Sequence, residues 1–278
     1  MAVEKNIEKK PFFDIVFVVL VYRNTEVLKG FFDSLSLPFT YKVIVVNNIY
    51  DVASEHDCRI IAEENNADFL SIPNKGYGAG NNVGCQYAMD HYQYRFMALS
   101  NSDIIIQDLS ILAKLDLQRA VFAPDTRMEN GHRQNPHIPI RLSLYMKLLD
   151  LSYHYKNEML MSMAFALNRF FREICIAWMK VTGKTMIKVF SAHGSFIVFP
   201  SQAVRELMPL FNEEMFLYNE ELYLAHRCKQ EEIPVYYVPR LKVKHLEGAS
   251  STVTSNGWKN HENSYQVLAD WLREYHFL

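Results

Sequence analysis

Apolar positions along the first hundred residues alternate between unbroken runs and helically spaced stripes. Residues 14–22 (DIVFVVLVY) form a continuous β-branched run, the pattern of a parallel strand buried on both faces. Residues 25–35 follow with Val27, Leu28, Phe31, Phe32 and Leu35 at helical spacing. The pattern then predicts a strand over 42–46, ending in Asn47-Asn48 with Asp51 close behind, a helix over 55–65 and a short third strand over 69–72. This βαβαβ order predicts an α/β fold with a doubly wound, Rossmann-like sheet flanked by helices, whose ligand site lies outside the carboxyl ends of the strands.

Two polar interruptions fall where such a site belongs. The loop NKGYGAGNNVG (74–84), which holds Asn74, Gly76, Gly80 and Asn82, opens a helix reaching Met89. Its glycines permit close backbone approach, and a helix N-terminus offers free N–H groups to an anion. The loop follows the third strand, not the first, which argues against a dinucleotide fingerprint. A buried run over 96–99 then stops at Asn101-Ser102-Asp103 before resuming as Ile104-Ile105-Ile106. Asp103 is a candidate metal ligand at a sheet edge; the plain alternative is a polar turn.

Farther on, a short helix is predicted over 109–115 and a strand over 119–123, closed by Pro124. Residues 125–139 read as a long polar loop in which His132 and His137 are solvated, with ligation as the sharper reading. Residues 141–188 are helical in spacing, and 189–199 return to strand character with His193-Gly194 in the middle. Ser201 is placed to N-cap a helix to Met208. Glu220 and Glu221 stand at the start of a helix over 222–228, where the dipole favours an ionised carboxylate suited to act as a base. Short strands over 235–238 and 241–243 lead to His245, a second candidate ligand, followed by Glu247, Gly248, Ala249, Ser250 and Ser251.

Composition narrows the setting. The chain has 278 residues, 49% of them hydrophobic, enough to bury a full core. A net charge of -2 gives no general attraction to nucleic acid. Residues 141–188 depart from that balance, with eight Lys or Arg against three acids. Such a basic amphipathic stretch either lies on an anionic membrane surface or packs as a helical cap or oligomer contact. The four scattered cysteines, without a CxxC pair, fit a reducing cytoplasm. The charged N-terminus lacks a signal-peptide core, and no apolar run is long enough to span a bilayer.

The order of these motifs resembles glycosyltransferase family 2, the inverting GT-A enzymes, and within it the bacterial rhamnosyltransferase-like branch that builds O-antigen and capsule. VYRNTEVL resembles the family's "TYN" opening, VIVVNNIYD its "VVDNxSxD", and NKGYGAGNNVG its "NxGxxxGxNxG" loop. SNSD stands at the "NPD" variant of the DxD metal motif, HGSFIVFP resembles "GAxxLxR", FNEEMFLYNEELYLAHR resembles "FDExFFxYxEDxDLxxR", and VKHLEGAS "VxHxxGxS". The resemblance implies one GT-A domain over the whole chain, with a nucleotide-sugar half at 11–125, the helical insert at 141–188, an acceptor and catalytic half at 189–250, and a tail and helix at 251–278. It further implies a UDP- or dTDP-linked sugar donor held near Tyr22, Asn47, Asp51, Asn74, Gly76, Gly80, Asn82, Asn101, Ser102, His193 and Gly194. A divalent cation, Mg²⁺ or Mn²⁺, would sit on Asp103 and His245, with Glu221 as base and Glu220 as its competitor. The acceptor would be a glycan or lipid-linked oligosaccharide, on the cytoplasmic side of the membrane.

Several positions depart from the family pattern. Asn47 and Asn101 stand where acids are usual, Glu221 replaces an aspartate, and Tyr223 replaces the second aspartate of "EDxDL". These substitutions support a rival reading in which the protein is a non-catalytic scaffold of a glycan assembly.

Overall fold

The computed structural model describes residues 10–246 and 257–275. Its first half follows the predicted alternation: β1 (Phe12–Val21), α1 (Glu26–Asp33), β2 (Tyr41–Ile49), α2 (Val52–Glu64), β3 (Asp68–Pro73), α3 (Tyr77–His91) and β4 (Gln93–Asn101). β5 (Ile104–Asp108) and a 3-10 turn at Ser110–Lys114 lead to β6 (Val121–Met128), then to α4 (Ser143–His154) and α5 (Glu158–Thr182). The remainder is β7 (Ile187–Val189), β8 (Phe196–Pro200), α6 (Ser201–Leu207), α7 (Glu220–Gln230), β9 (Val235–His245) and α8 (Gly257–Glu274).

One sheet carries the described strands in the order β3-β2-β1-β4-β8-β6-β9-β5, with β7 on β9. Its first four strands are parallel; beyond β4 it is mixed, because β8 runs antiparallel to both β4 and β6 while β6 and β9 run parallel. β1 lies between β2 and β4, so the chain reverses its winding there, and the carboxyl ends of β1 and β4 border the crevice of an open α/β sheet.

The unbroken apolar run of β1 has a direct cause. Val16, Val18 and Leu20 face a core completed by α3, α6 and α7, whereas Ile15, Phe17, Val19 and Val21 face one completed by α1, α2 and the 3-10 turn. Both faces are dry, so no polar alternation survives. A third cluster, with Tyr145, Leu149, Leu222 and Leu268, joins α4, α5 and α8 to the outer side of α7.

Four expectations are corrected. β6 does not close at Pro124; it continues to Met128, which shortens the supposed 125–139 loop. Residues 235–245 form one strand, not two. In both cases the proline sits at a shared irregularity, since the β6–β9 register jumps from Pro124↔Val238 to Asp125↔Lys242 and leaves Pro239 inside the bulge, where a missing N–H breaks no ladder. Residues 189–199 are not one strand: His193 N donates to Asn135 Oδ1 (2.8 Å) and Ser195 N to His193 Nδ1 (3.2 Å), so side chains take the bonds a ladder would use. Ser201 is the first residue of α6, whose N-cap is Pro200, and no side-chain cap bond is made. Residues 247–250 of the VKHLEGAS match, and Ser251 after them, lie outside the described residues.

Gly84 on α3 shows how closely helix and sheet approach. A Cβ there would overlap Val18 Cγ1 and stand 2.8 Å from Val46 Cγ2. Gly84→Ala is expected to cost about 1–3 kcal/mol by overpacking. Urea unfolding should show a lower midpoint with an unchanged slope; an unshifted midpoint would contradict this packing.

Candidate active site

At the end of β1, Tyr22 and Tyr50 meet edge to face at 5.7 Å, and the Arg23 guanidinium lies 4.5 Å from the Tyr50 ring centre. Asn47, at the end of β2, is buried and donates to Ser71 Oγ (3.4 Å). Asp51 forms a capping box on α2: its Oδ1 accepts from Ser54 N at 2.7 Å. The Ser54 N–H and hydroxyl hold this exposed carboxyl below the usual range, so it has a structural task of its own.

The glycine loop closes on the protein itself. Gly76 has φ +109°, and a Cβ there would overlap the Phe216 carbonyl; at Gly78 it would lie 2.7 Å from Phe211 Cβ, and at Gly80 2.5 Å from Leu20 Cδ1. Asn74 Oδ1 accepts from Gly76 N (3.1 Å), and Tyr77 N donates to Phe216 O (2.9 Å). Asn82 donates to Phe211 O (2.9 Å) and Glu213 Oε1 (3.1 Å) and accepts from Phe211 N (3.2 Å). The motif thus fastens α3 to residues 211–216.

β4 ends at Asn101, whose N–H donates to Ser195 O (2.9 Å), and a turn at Ser102-Asp103 leads into β5. Antiparallel pairing sets Ile104 opposite His245, which brings the two candidate ligands together: His245 Nε2 is 3.1 Å from Asp103 Oδ1. Asp103 does not face solvent, as a strand-end carboxylate was expected to; it is 3% exposed. His245 Nδ1 donates to Gln134 Oε1 (2.9 Å), which fixes the ring with Nε2 toward the carboxylate. Two acceptors at that separation repel unless a proton or cation lies with them. Ligands at right angles around a metal with bonds of ~2.1 Å stand about 3.0 Å apart, so this donor pair suits a divalent ion. No group of three or more metal-binding side chains occurs among the described residues. Such an ion would take its remaining ligands from water or substrate phosphate.

Across from this pair, Tyr218 (φ 76°) and Asn219 (φ 69°) are consecutive left-handed residues ahead of α7. Asn tolerates this conformation; for Tyr it costs about 1–2 kcal/mol. The Tyr218 ring stacks on His261 of α8 at 3.7 Å, which holds the turn. The turn sets Glu220 and Glu221 in the first turn of α7. Glu221 Oε1 accepts from Gly194 N (3.1 Å), and Tyr77 Oη donates to Gly194 O (2.6 Å).

The two glutamates are driven apart in acidity. Burial, then the neighbouring Glu221, raises the Glu220 carboxyl well above the usual range; Glu220 is 3% exposed and, among the described residues, its Oε1 has no hydrogen-bond partner. For Glu221 burial also pushes upward, but His137, His193 and the N–H groups of Glu221 and Gly194 outweigh it and hold the carboxyl low. Burial lowers both His137 and His193. Their rings meet edge to face at 5.6 Å, and His193 lies 6.1 Å from His245, so the imidazoles form a continuous row from Glu221 to Asp103.

His137 is the residue the sequence reading set aside. Ser191 connects it to Glu221, with its Oγ 3.3 Å from His137 Nδ1 and donating to Glu221 O (3.1 Å). Gln134, Asn135 and Tyr77 were also missed. The available signal was the density of polar and ring side chains in HRQNPH (132–137) beside a buried strand. His132 is exposed, as expected.

No family model matches the chain, and no curated protein matches it. Solved structures do. A structure of GalNAc-T7 with UDP, GalNAc and Mn²⁺ superposes with a TM-score of 0.59 at 10% identity, covering 86% of this chain and 44% of that one. The mannosyltransferase PcManGT from Pyrobaculum calidifontis, in complex with GDP-Man and Mn²⁺, gives 0.52 at 10% identity, covering 87% and 60%. The fold is that of GT-A glycosyltransferases. This chain spans roughly half the length of those neighbours.

His226 of α7 is fully buried, and burial, then Arg141 and Lys229, pushes its imidazole down to about 3. The unfolded chain binds that proton near pH 6.5 and the folded one does not, so stability is intact above 6.5 and falls as pH drops toward 3. The loss is up to ~1.4 kcal/mol per pH unit for this group. Urea unfolding from pH 7.5 to 5 should show this slope, and His226→Phe should flatten it; an equal slope in the variant would remove His226 as a source.

Proposed function

We propose that this protein is an inverting glycosyltransferase of the family 2, rhamnosyltransferase-like kind, moving a sugar from a UDP- or dTDP-linked donor to a glycan or lipid-linked acceptor of a bacterial surface polysaccharide. The observation that carries the reading is the divided glutamate pair at the start of α7, one carboxyl held ionised and the other neutral, on the same sheet edge as Asp103 and His245. The GT-A architecture supports it, and GalNAc-T7 and PcManGT are described with a nucleotide or nucleotide-sugar and Mn²⁺.

In this reading the acceptor hydroxyl gives its proton to Glu221 as its oxygen attacks the anomeric carbon. The bond from that carbon to the donor phosphate breaks, the electron pair leaves with the nucleotide diphosphate, and the anomeric centre inverts. A cation on Asp103 and His245 would neutralise charge on the departing diphosphate. The Gly194 N–H holds Glu221, and His137 and His193 help keep it ionised. Tyr22, Tyr50 and Arg23 offer aromatic and cationic surface at the β1 and β2 ends, fitting a nucleobase.

Glu221→Gln should lower transfer by roughly 10² or more with donor affinity nearly unchanged, while Glu220→Gln, replacing a neutral carboxyl by a neutral amide, should have little effect. Measured transfer over a donor panel decides it. The reverse ranking would move the base to Glu220, and indifference to both would favour a scaffold.

Asp103→Asn keeps size while removing charge, so the metal dependence of transfer and of donor-induced thermal stabilisation should fall together. Undiminished metal dependence would remove Asp103 from the site.

A further inference from the structure

α5 buries Ala164, Ile176 and Met179 against the protein, yet its outer side is apolar as well. Met159, Met163, Phe170, Ile174 and Val181 lie on one stripe, with alanines at 166 and 177 between them and Trp178 at its edge. The six large side chains range from 46% exposed (Ile174) to 87% (Val181). From 159 to 181 the stripe keeps step with the helical turn, so it runs straight for about 33 Å and carries no charge. A solvated helix would alternate polar residues on such a face.

We propose that this face of α5 docks the protein on an anionic lipid bilayer. Charge complementarity selects this occupant over a second copy of the chain. Residues 141–188 carry an excess of five positive charges although the whole chain has net charge -2, so the positive charge is local to this segment, and a second copy presenting the same face would bring like charges together. Arg169 and Lys180 follow one border of the stripe, and the Lys184 ammonium lies 4.4 Å from the Trp178 ring centre at its end. Basic heads beside an aromatic and aliphatic face are the arrangement an interfacial helix presents to headgroups. The stripe's straight course suits a plane along its whole length, whereas a helical partner pairs through a winding 3.5-residue repeat. No helix among the described residues is long and apolar enough to cross a membrane, so the contact is along the surface.

The inner side of the same helix reaches the site. Asn168 Nδ2 donates to His137 O at 2.8 Å, one residue wall from Glu221. A docked α5 therefore holds the catalytic edge close to the lipid headgroups. The docking does not depend on the proposed reaction.

The test is flotation of the full chain with vesicles of phosphatidylcholine and phosphatidylglycerol, and with phosphatidylcholine alone, alongside light scattering to count subunits. The protein should bind the anionic vesicles at least ~10-fold better at low salt and lose that preference as salt rises. Phe170→Glu combined with Ile174→Glu, both on the exposed face, should lower binding ~10-fold or more with an unchanged circular dichroism spectrum. Glu173→Lys, on the charged border, should raise it about fivefold. Absence of vesicle binding, equal binding by the double variant, or a dimer that the double variant dissolves would each overturn the proposal. None of these readouts involves sugar transfer, so failure here leaves the proposed reaction standing.

Discussion

The side chain of Asn82 is the point on which the two halves of the molecule turn. It is a buried residue of α3, and it donates to and accepts from the backbone of Phe211 while reaching Glu213. Each bond satisfies a polar group that would otherwise be stranded in a dry interface, where an unmade bond costs about 1–3 kcal/mol. With Gly76 pressed on the Phe216 backbone, the clamp fixes the course of residues 211–216. That course leads into the left-handed pair Tyr218-Asn219 and so into the first turn of α7. The parallel half of the sheet thereby positions a carboxylate that belongs to the other half.

The chemistry of the site follows from unequal treatment of similar groups. Glu220 and Glu221 are adjacent, yet burial and the neighbouring charge outweigh the backbone N–H groups at one, whereas the other meets the Gly194 N–H and two imidazoles. Burial lowers His137 and His193 as well, against the upward pull of Glu221 on both. The result is one carboxyl held low at the end of a row of imidazoles and its neighbour held high, which suits proton acceptance better than two competing charges would. Asp103 and His245 supply the opposite kind of place, a carboxylate oxygen and a ring nitrogen facing one another at 3.1 Å.

Much of the fold was legible because hydrophobic periodicity records burial directly. β1 read as a parallel strand since both faces are covered, and the α1 stripe read as a helix since only one is. Misreadings arose where local rules met tertiary pairing: Pro124 and Pro239 break strands in general but here share one bulge, and His193-Gly194 leave a strand because side chains satisfy their backbone. The grouping of Asp103 with His245 needed the β5–β9 register, which no local pattern encodes. His137 was passed over for the same reason, as its surroundings come from residues 191–193 and 221, far along the chain.

The pairing of β5 with β9 bears on the order of assembly. Ile104 meets His245 across 141 residues, whereas β1, β2, β3 and β4 find their partners within a contiguous ninety-residue stretch. Loop-closure entropy delays distant contacts, and chains are synthesised from the N-terminus, so the parallel half can form while β9 is still absent. During that interval β5 has no neighbour on either side, although Ile104 and Ile106 are among the most apolar residues of the sheet. Its unpaired edge is the segment most open to pairing with another nascent chain, and the last strand to arrive is both its protection and the carrier of His245.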